Sequence, residues 1–514
     1  MSIPLEDLTR TIGGTLSEGA DPTVEIADIG LDSASLADRD AIFAAVPGTH
    51  VHGAEFATRD NAASAVAVLT DAEGAAILAR AGDRRPVVTV PDVRKVLGEA
   101  SSRIYGDPSR EMVLVGVTGT SGKTTTSYLL ERGLMAAGHT VGLIGTTGTR
   151  IDGRPVPTKL TTPEAPTLQA LFRQMRDQGV THVVMEVSSH ALSLGRVAGT
   201  HFDVSAFTNL SQDHLDFHPT MEDYFEAKAL FFRADSPLAA DRSVVCIDDS
   251  WGRRMAEVAA DALTVGSMGE EADITAGEVE VGESGTQHFT VHLPDDGVVG
   301  VELALPGAFN VANATLALAA AYRIGVDPEA FARGLATVTV PGRMERIDLG
   351  QDFLAVVDYA HKPAAVAAVL DTLRSQVDGR LGVVIGAGGD RDPSKRGPMG
   401  AMSAQRADLV IVTDDNPRSE DPATIRAAVL AGAREAADAE SKNSGRKVEI
   451  REVGDRAEAI SALTEWARSG DGIVVAGKGH EVGQLVAGVT HHFDDREQVR
   501  DALSRRLHKG SEGK

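Results

Sequence analysis

Short apolar runs alternate with longer alanine- and leucine-rich stretches of helical period along most of the chain, and most of the apolar runs end in or near a polar cluster. Apolar runs of four to seven residues, set between helical patterns, predict strands of parallel α/β layers. The runs at 24–29, 41–46, 65–69 and 86–90 make a first group. A second comprises 112–117, 140–144, 181–187, 204–207 and 244–247, followed by an alternating, glycine-rich stretch at 272–305 that predicts antiparallel strands. Pro306 to Asn313 then leads into an alanine-rich helix. A third group lies at 354–357, 381–385, 409–412 and 472–476. Tyr105-Gly106-Asp107-Pro108 and Val340-Pro341-Gly342-Arg343 read as breaks. Residues 441–447 read as a polar loop and 509–514 as a frayed tail.

The run at 112–117 carries the most specific chemistry. Thr118-Gly119-Thr120-Ser121-Gly122 makes a turn, and Lys123-Thr124-Thr125 opens a helical pattern that continues to Leu134. Strand, glycine turn, lysine-threonine and helix form a phosphate cradle, in which backbone N–H groups and a helix N-terminus face an anion. Lys123 can reach terminal phosphates, and the Thr124 hydroxyl can ligate Mg²⁺. The spacing departs from G-x-x-x-x-G-K-T, because Val117 stands five places before Gly122. The fold class expected is α/β in three domains. These are a small α/β domain over 1–108, a central P-loop-type ATPase domain with a mostly parallel sheet over 109–341, and a Rossmann-like domain over 342–514.

Ligands gather at the carboxyl ends of parallel strands, so the polar clusters there are the next candidates. Glu186 ends an apolar strand and can hold Mg²⁺ beside a phosphate loop; His214, in a dense polar segment, is a second candidate ligand. Lys228, within the helical pattern 221–232, reads from sequence alone as a solvated surface lysine. In the third group, Arg391 and Arg418 can grip carboxylates, while Asp415, Asn416 and Glu481 can accept from an ammonium group. Together they suit a zwitterionic amino acid, and a solvated charged loop is the competing reading. Within 1–108, the segments 30–33 and 46–53 read as turns and nothing more.

Composition narrows the partners. The 514 residues carry 74 acidic and 50 basic groups, a net charge of −24, which repels nucleic acid and anionic membrane. An anionic substrate must therefore meet locally placed cations. Aromatics make up only 4%, so alanine, valine, glycine and leucine carry the packing. The one cysteine, Cys246, sits in an apolar run and reads as a buried, inert thiol. With no signal peptide and no long uncharged apolar run, the expectation is a cytoplasmic protein.

Seven segments in series resemble the Mur ligase family: 118–125, 186–190, 213–218, Asn310 with Asn313, 358–361, 415–418 and 477–481. The resemblance spans essentially the whole chain. It implies a monomeric, ATP-dependent, amide-forming ligase of peptidoglycan synthesis. By the resemblance, such an enzyme adds meso-diaminopimelate to the D-glutamate γ-carboxylate of UDP-N-acetylmuramoyl-L-alanyl-D-glutamate through an acyl phosphate. ATP would be held by Gly119, Thr120, Ser121, Gly122, Lys123, Thr124 and Thr125, with Asn313, Arg343, Asp358 and His361. Leu31, Ser33 and the loop Thr49, His50 and Val51 match contacts to the UDP part, and Thr161, Thr162, Ser188 and Arg196 match contacts to the muramoyl-peptide. Arg391, Asp415, Asn416, Pro417, Arg418, Gly477 and Glu481 match the amino-acid site. The family resemblance also makes Lys228 a carbamylated lysine and a metal ligand beside Thr124, Glu186 and His214, reversing the reading from sequence pattern. Lys362 stands where the family commonly has threonine. The alternatives are the same ligase using L-lysine, a folylpolyglutamate synthetase-like ligase, or a P-loop ATPase without ligation.

Overall fold

The computed structural model describes the chain except for residues 1, 35, 37–39, 49, 159, 283, 284, 513 and 514. Thr49 therefore lies outside the described residues. Three separate parallel-cored sheets account for the three groups of apolar runs. The first orders strands Thr15–Leu16, Val87–Thr89, Ala67–Thr70, Ala41–Ala44 and Asp28–Gly30, the last four parallel. Among the described residues the central sheet has twelve strands. Its parallel part runs Val141–Gly145, His182–Glu186, Val113–Thr118, Val204–Phe207, Arg242–Cys246, Ala262–Gly266 and Ile274–Ala276, with antiparallel strands added at both ends. The antiparallel strands expected within 272–305 are present, as Gln287–His292 and Val298–Leu303. The third sheet has parallel strands Leu354–Asp358, Gly472–Ala476, Leu381–Ile385, Leu409–Val412 and Glu449–Glu452.

Register decides what meets at the strand ends. Glu186 pairs with Val117 on one side of the central strand, and Phe207 pairs with Thr118 on the other. Glu186, the turn after Thr118, and Thr208 therefore emerge side by side. The order of the strands reverses around Val113–Thr118, so the turn opens into the crevice where ligands bind in such sheets. The strand is buried on both faces between the helix Lys123–Ala136 and a cluster that includes Phe202, Phe231 and Phe232.

The first sheet is not loosely tethered. Its helix Val93–Ile104 lies backbone to backbone against the turn at 195–199, where a Cβ on Gly98 would stand 2.2 Å from the Ala198 carbonyl oxygen. Only glycine permits that approach. Ala165, at the start of a central-domain helix, belongs to the first domain's apolar core.

Two expectations need correction. Residues 441–447 are not wholly a loop, because the helix Pro422–Ser444 runs through their first half to a left-handed Gly445. The exposed polar side chains there solvate a helix as readily as a loop. The tail expected to fray from 509 is helical as far as Glu512, at the end of the helix Asp495–Glu512, and residues 513 and 514 lie outside the described residues.

The third domain is pinned by a buried ion pair. Arg456 donates to both oxygens of Asp495, Nε and Nη2 each at 2.7 Å, with both side chains fully buried. Arg456→Met should cost about 3–5 kcal/mol in denaturant unfolding, because it strands a buried carboxylate. Adding Asp495→Leu should recover much of that loss; a single variant as stable as the parent refutes the assignment.

Candidate active site

The turn after Val113–Thr118 is shaped for an anion. Gly122 has φ +87, and a Cβ there would stand 2.4 Å from Asn313 Oδ1. Asn313 is buried and accepts from Thr126 Oγ1 at 3.3 Å, tying the turn to the helix Ala308–Arg323. Asn209 Oδ1 accepts from the Ser121 N–H at 3.0 Å, and the Thr208 hydroxyl donates to the Ser121 carbonyl at 2.6 Å.

Three lysines converge on two carbonyls of this turn. Lys123 Nζ donates to Gly119 O at 2.9 Å and Thr120 O at 3.1 Å. Lys228 Nζ donates to Gly119 O at 3.0 Å and Thr118 Oγ1 at 3.3 Å, and lies 4.7 Å from the centre of the Tyr224 ring. Lys362, from the third domain, donates to Thr120 O at 3.3 Å and pairs with Asp213 Oδ2 at 2.7 Å. Burial and the neighbouring Lys362 push Lys123 down to about 8. Burial, then Lys123, drives Lys228 well below the usual ammonium range. Lys228 is 1% exposed, so the surface-lysine reading is overturned. Its helix Met221–Ala229 also buries Tyr224, Phe225 and Ala227, so the apolar period alone does not single it out.

Glu186 is 1% exposed, and its two oxygens accept from the Thr146 N–H and hydroxyl, each at 2.9 Å. His214 sits at φ +53 with Nε2 3.2 Å from Asp213 Oδ2, its ring edge-on to His190 at 5.0 Å. Burial lowers His214 to about 3, keeping the imidazole neutral and able to ligate. Burial pushes the Asp213 carboxyl up, but Lys362 and His214 outweigh it and hold the group below the usual range. Thr124 hydroxyl, Glu186 carboxylate and neutral His214 imidazole border one cavity. Such an oxygen-rich donor set fits a hard divalent cation.

That cavity, about 990 Å³, runs between the central and third domains. Of the residues expected to hold nucleotide, those from Thr120 to Thr125, Asn313, Arg343, Asp358 and His361 line it, and so do Thr161, Thr162, Ser188 and Arg196. Arg343 Nη2 reaches Thr124 Oγ1 at 3.4 Å and stacks on Tyr359 at 4.0 Å. Asp358 accepts from the Met344 and Ala360 N–H groups at 2.7 Å, and burial raises its carboxyl. Burial pushes His361 down to about 3.

A second cavity, about 610 Å³, is lined by Asn416, Arg418 and Glu481 opposite Thr146 and Thr147. Arg418, at φ +55, is held by backbone bonds to Leu485 and Ala487 and by its guanidinium on Gly389 O. Asn416 donates to Glu481 Oε2 at 3.0 Å and accepts from Lys478 Nζ at 3.0 Å. Lys478 is fully buried within 3.6 Å of both Asp415 and Glu481. Burial raises Glu481. Arg391 does not join this group: it lines the first cavity and pairs with Asp216 at 3.4 Å. Asp415, Pro417 and Gly477 do not line this cavity, and Asp415 Oδ1 lies 3.5 Å from Lys478 Nζ. Leu31, Ser33, His50 and Val51 line neither cavity; Leu31 packs on the first domain's core and Val51 is 49% exposed.

Sequence reasoning missed Lys362, Lys478 and Thr146 as site residues. Thr146 did stand in a flagged polar cluster, but a lysine carries no sequence signal of burial. Cys246 is buried, and burial raises its thiol as expected.

Comparison with known proteins follows the same division. "Mur ligase family, catalytic domain" matches residues 25–105, "Mur ligase middle domain" 117–321, and "Mur ligase, glutamate ligase domain" 342–479. A UDP-N-acetylmuramoyl-L-alanyl-D-glutamate–2,6-diaminopimelate ligase of Corynebacterium efficiens is 74% identical over 514 residues, covering 100% of this chain and 97% of its own. This chain belongs to the Mur ligase family. It is an ATP-dependent ligase that forms an amide between an acid and an amino acid. The Corynebacterium glutamicum protein of the same name is 73% identical over 508 residues, covering 98% of each chain. A solved structure bearing that name aligns with TM-score 0.68 at 33% identity, over 99% of this Mur ligase and 100% of the other chain.

Gly122→Ala should deform the turn at a cost of about 1–3 kcal/mol. Calorimetry should then show ADP affinity falling about tenfold or more while thermal unfolding stays cooperative. Unchanged ADP affinity would contradict the cradle.

Proposed function

We infer that the chain joins meso-diaminopimelate to the D-glutamyl γ-carboxylate of UDP-N-acetylmuramoyl-L-alanyl-D-glutamate, in the cytoplasm and as a monomer. The observation that carries this reading is the shared wall between the two cavities. Thr146 lines both, and it holds Glu186 by two hydrogen bonds. A carboxylate activated in the first cavity thus lies beside an amino acid bound in the second. The names of the relatives supply the substrates.

The γ-carboxylate attacks the γ-phosphorus of ATP, giving an acyl phosphate and ADP. An amine of the amino acid then attacks the acyl carbon, phosphate leaves, and the amine gives up a proton. Lys123 and Arg343 offset charge on the phosphates, a preorganised stabilisation of the kind that dominates phosphoryl transfer. Thr124, Glu186, His214 and carbamylated Lys228 would hold Mg²⁺, which supplies further charge neutralisation. Lys228 suits carbamylation because burial favours its uncharged amine, which can add CO₂ and release a proton to leave an anion. Arg391 and Asp216 tie the third domain to the loop that carries His214.

On the amino-acid side, Arg418 favours a substrate whose far end carries a carboxylate. A lone ammonium there meets the guanidinium and is repelled. Glu481 offers a carboxylate acceptor for an amine, and Asn416 orients it by donating to Oε2.

Lys228→Ala should abolish product formation, with partial recovery in added bicarbonate or short carboxylates. Full activity in that variant sinks the carbamate role. Offered amino acids one at a time, the parent enzyme should use meso-diaminopimelate far better than L-lysine. Arg418→Ala should raise KM for diaminopimelate at least tenfold, equivalent to about 1.4 kcal/mol, and leave KM for ATP nearly unchanged. Preference for lysine in the parent refutes the arginine argument.

A further inference from the structure

The phosphate turn meets one cation more than the reaction scheme above uses. Lys362 precedes the helix Pro363–Arg374 in the third domain, and its side chain makes no cap to that helix. It crosses instead to the central domain, where it is 8% exposed and lines the nucleotide cavity beside Lys123, Thr124 and Glu186. Its Nζ shares the Thr120 carbonyl with Lys123 Nζ, at 3.3 and 3.1 Å. Asp213 Oδ2, 2.7 Å away, is its charged partner. A peptide carbonyl is a poor counterion for two ammonium groups, and an adjacent pair of like charges in a buried site is costly until an anion joins them.

We propose that Lys362 is a catalytic residue that the third domain inserts into the phosphoryl-transfer site, where its ammonium binds the γ-phosphate of ATP while Asp213 holds its stem in place. The role rests on the ligase reading for the step it assists. In that step the bond from the γ-phosphorus to the β–γ bridging oxygen breaks, and its electron pair stays on ADP. A carboxylate oxygen of the acceptor forms the new bond to phosphorus, and no proton moves. Charge shifts toward the bridging oxygen and stays on the three phosphoryl oxygens, which a nearby cation stabilises. Lys362 rides on the domain that also carries Arg418 and Glu481. The γ-phosphate is therefore fully neutralised only when the third domain is docked on the central one.

The test is calorimetric titration of Mg–ADP and of the nonhydrolysable analogue Mg–AMPPNP into the parent, Lys362→Met, Lys362→Gln and Lys362→Arg. Met and Gln should each lose at least tenfold affinity for AMPPNP and keep ADP affinity within threefold, and Arg should retain the parent's discrimination. In ligation assays kcat should fall about a hundredfold or more in Met and Gln. Gln can still hydrogen-bond Asp213, so it reports even where Met disturbs folding. Equal losses for ADP and AMPPNP make Lys362 a structural tie between domains and overturn the proposal, as does no change for either. The nucleotide comparison needs neither acceptor nor amino acid. The ligase reading fails separately, if the parent forms no amide product.

Discussion

Everything at the site depends on positive charge gathered where the chain as a whole is acidic. Three lysine amino groups press on the carbonyls of Gly119 and Thr120, and Arg343 approaches from the third domain. Against a net charge of −24, this is the place where a polyphosphate and a carboxylate can be brought together. Burial first, and the neighbouring lysines next, lower both Lys123 and Lys228 from the usual ammonium range.

Parallel sheets make the geometry possible. Both larger sheets aim the carboxyl ends of their strands into one interdomain space, so Glu186 and the turn from one face Asp358, His361 and Lys362 from the other. No side chain has to travel far, because the register of neighbouring strands has already aligned them. Burial does the rest. It keeps His214 and His361 neutral, and it raises the Asp358 carboxyl.

Much of this was legible in the chain. The strands Val204–Phe207, Leu381–Ile385, Leu409–Val412 and Gly472–Ala476 have the bounds that their apolar runs predict, because a short, mostly apolar run with Gly or Asp on at least one side leaves few other readings. The phosphate turn was legible for the same reason: glycine and lysine-threonine at a strand end serve a specific chemistry. What stayed hidden was partnership across domains. Lys228, Lys362 and Lys478 look like solvated lysines until the fold gives each a carbonyl or carboxylate to meet. The pattern also failed at helix ends such as Ser444, where polar residues on an exposed face do not mark a boundary.

The contact at Gly98 has a further meaning. Backbone lies on backbone there, with no side chain to give way, so the first and central domains are set at a fixed separation. On the proposed reading, one end of the acceptor is gripped by the first domain and its carboxylate must arrive at the phosphate turn. The enzyme is then a ruler. An acceptor with one amino acid more or fewer in its stem presents its carboxylate about 3.5 Å out of place, farther than an in-line attack tolerates. Stem length would be selected by a glycine some distance from the chemistry, before any contact to the stem's own side chains is made.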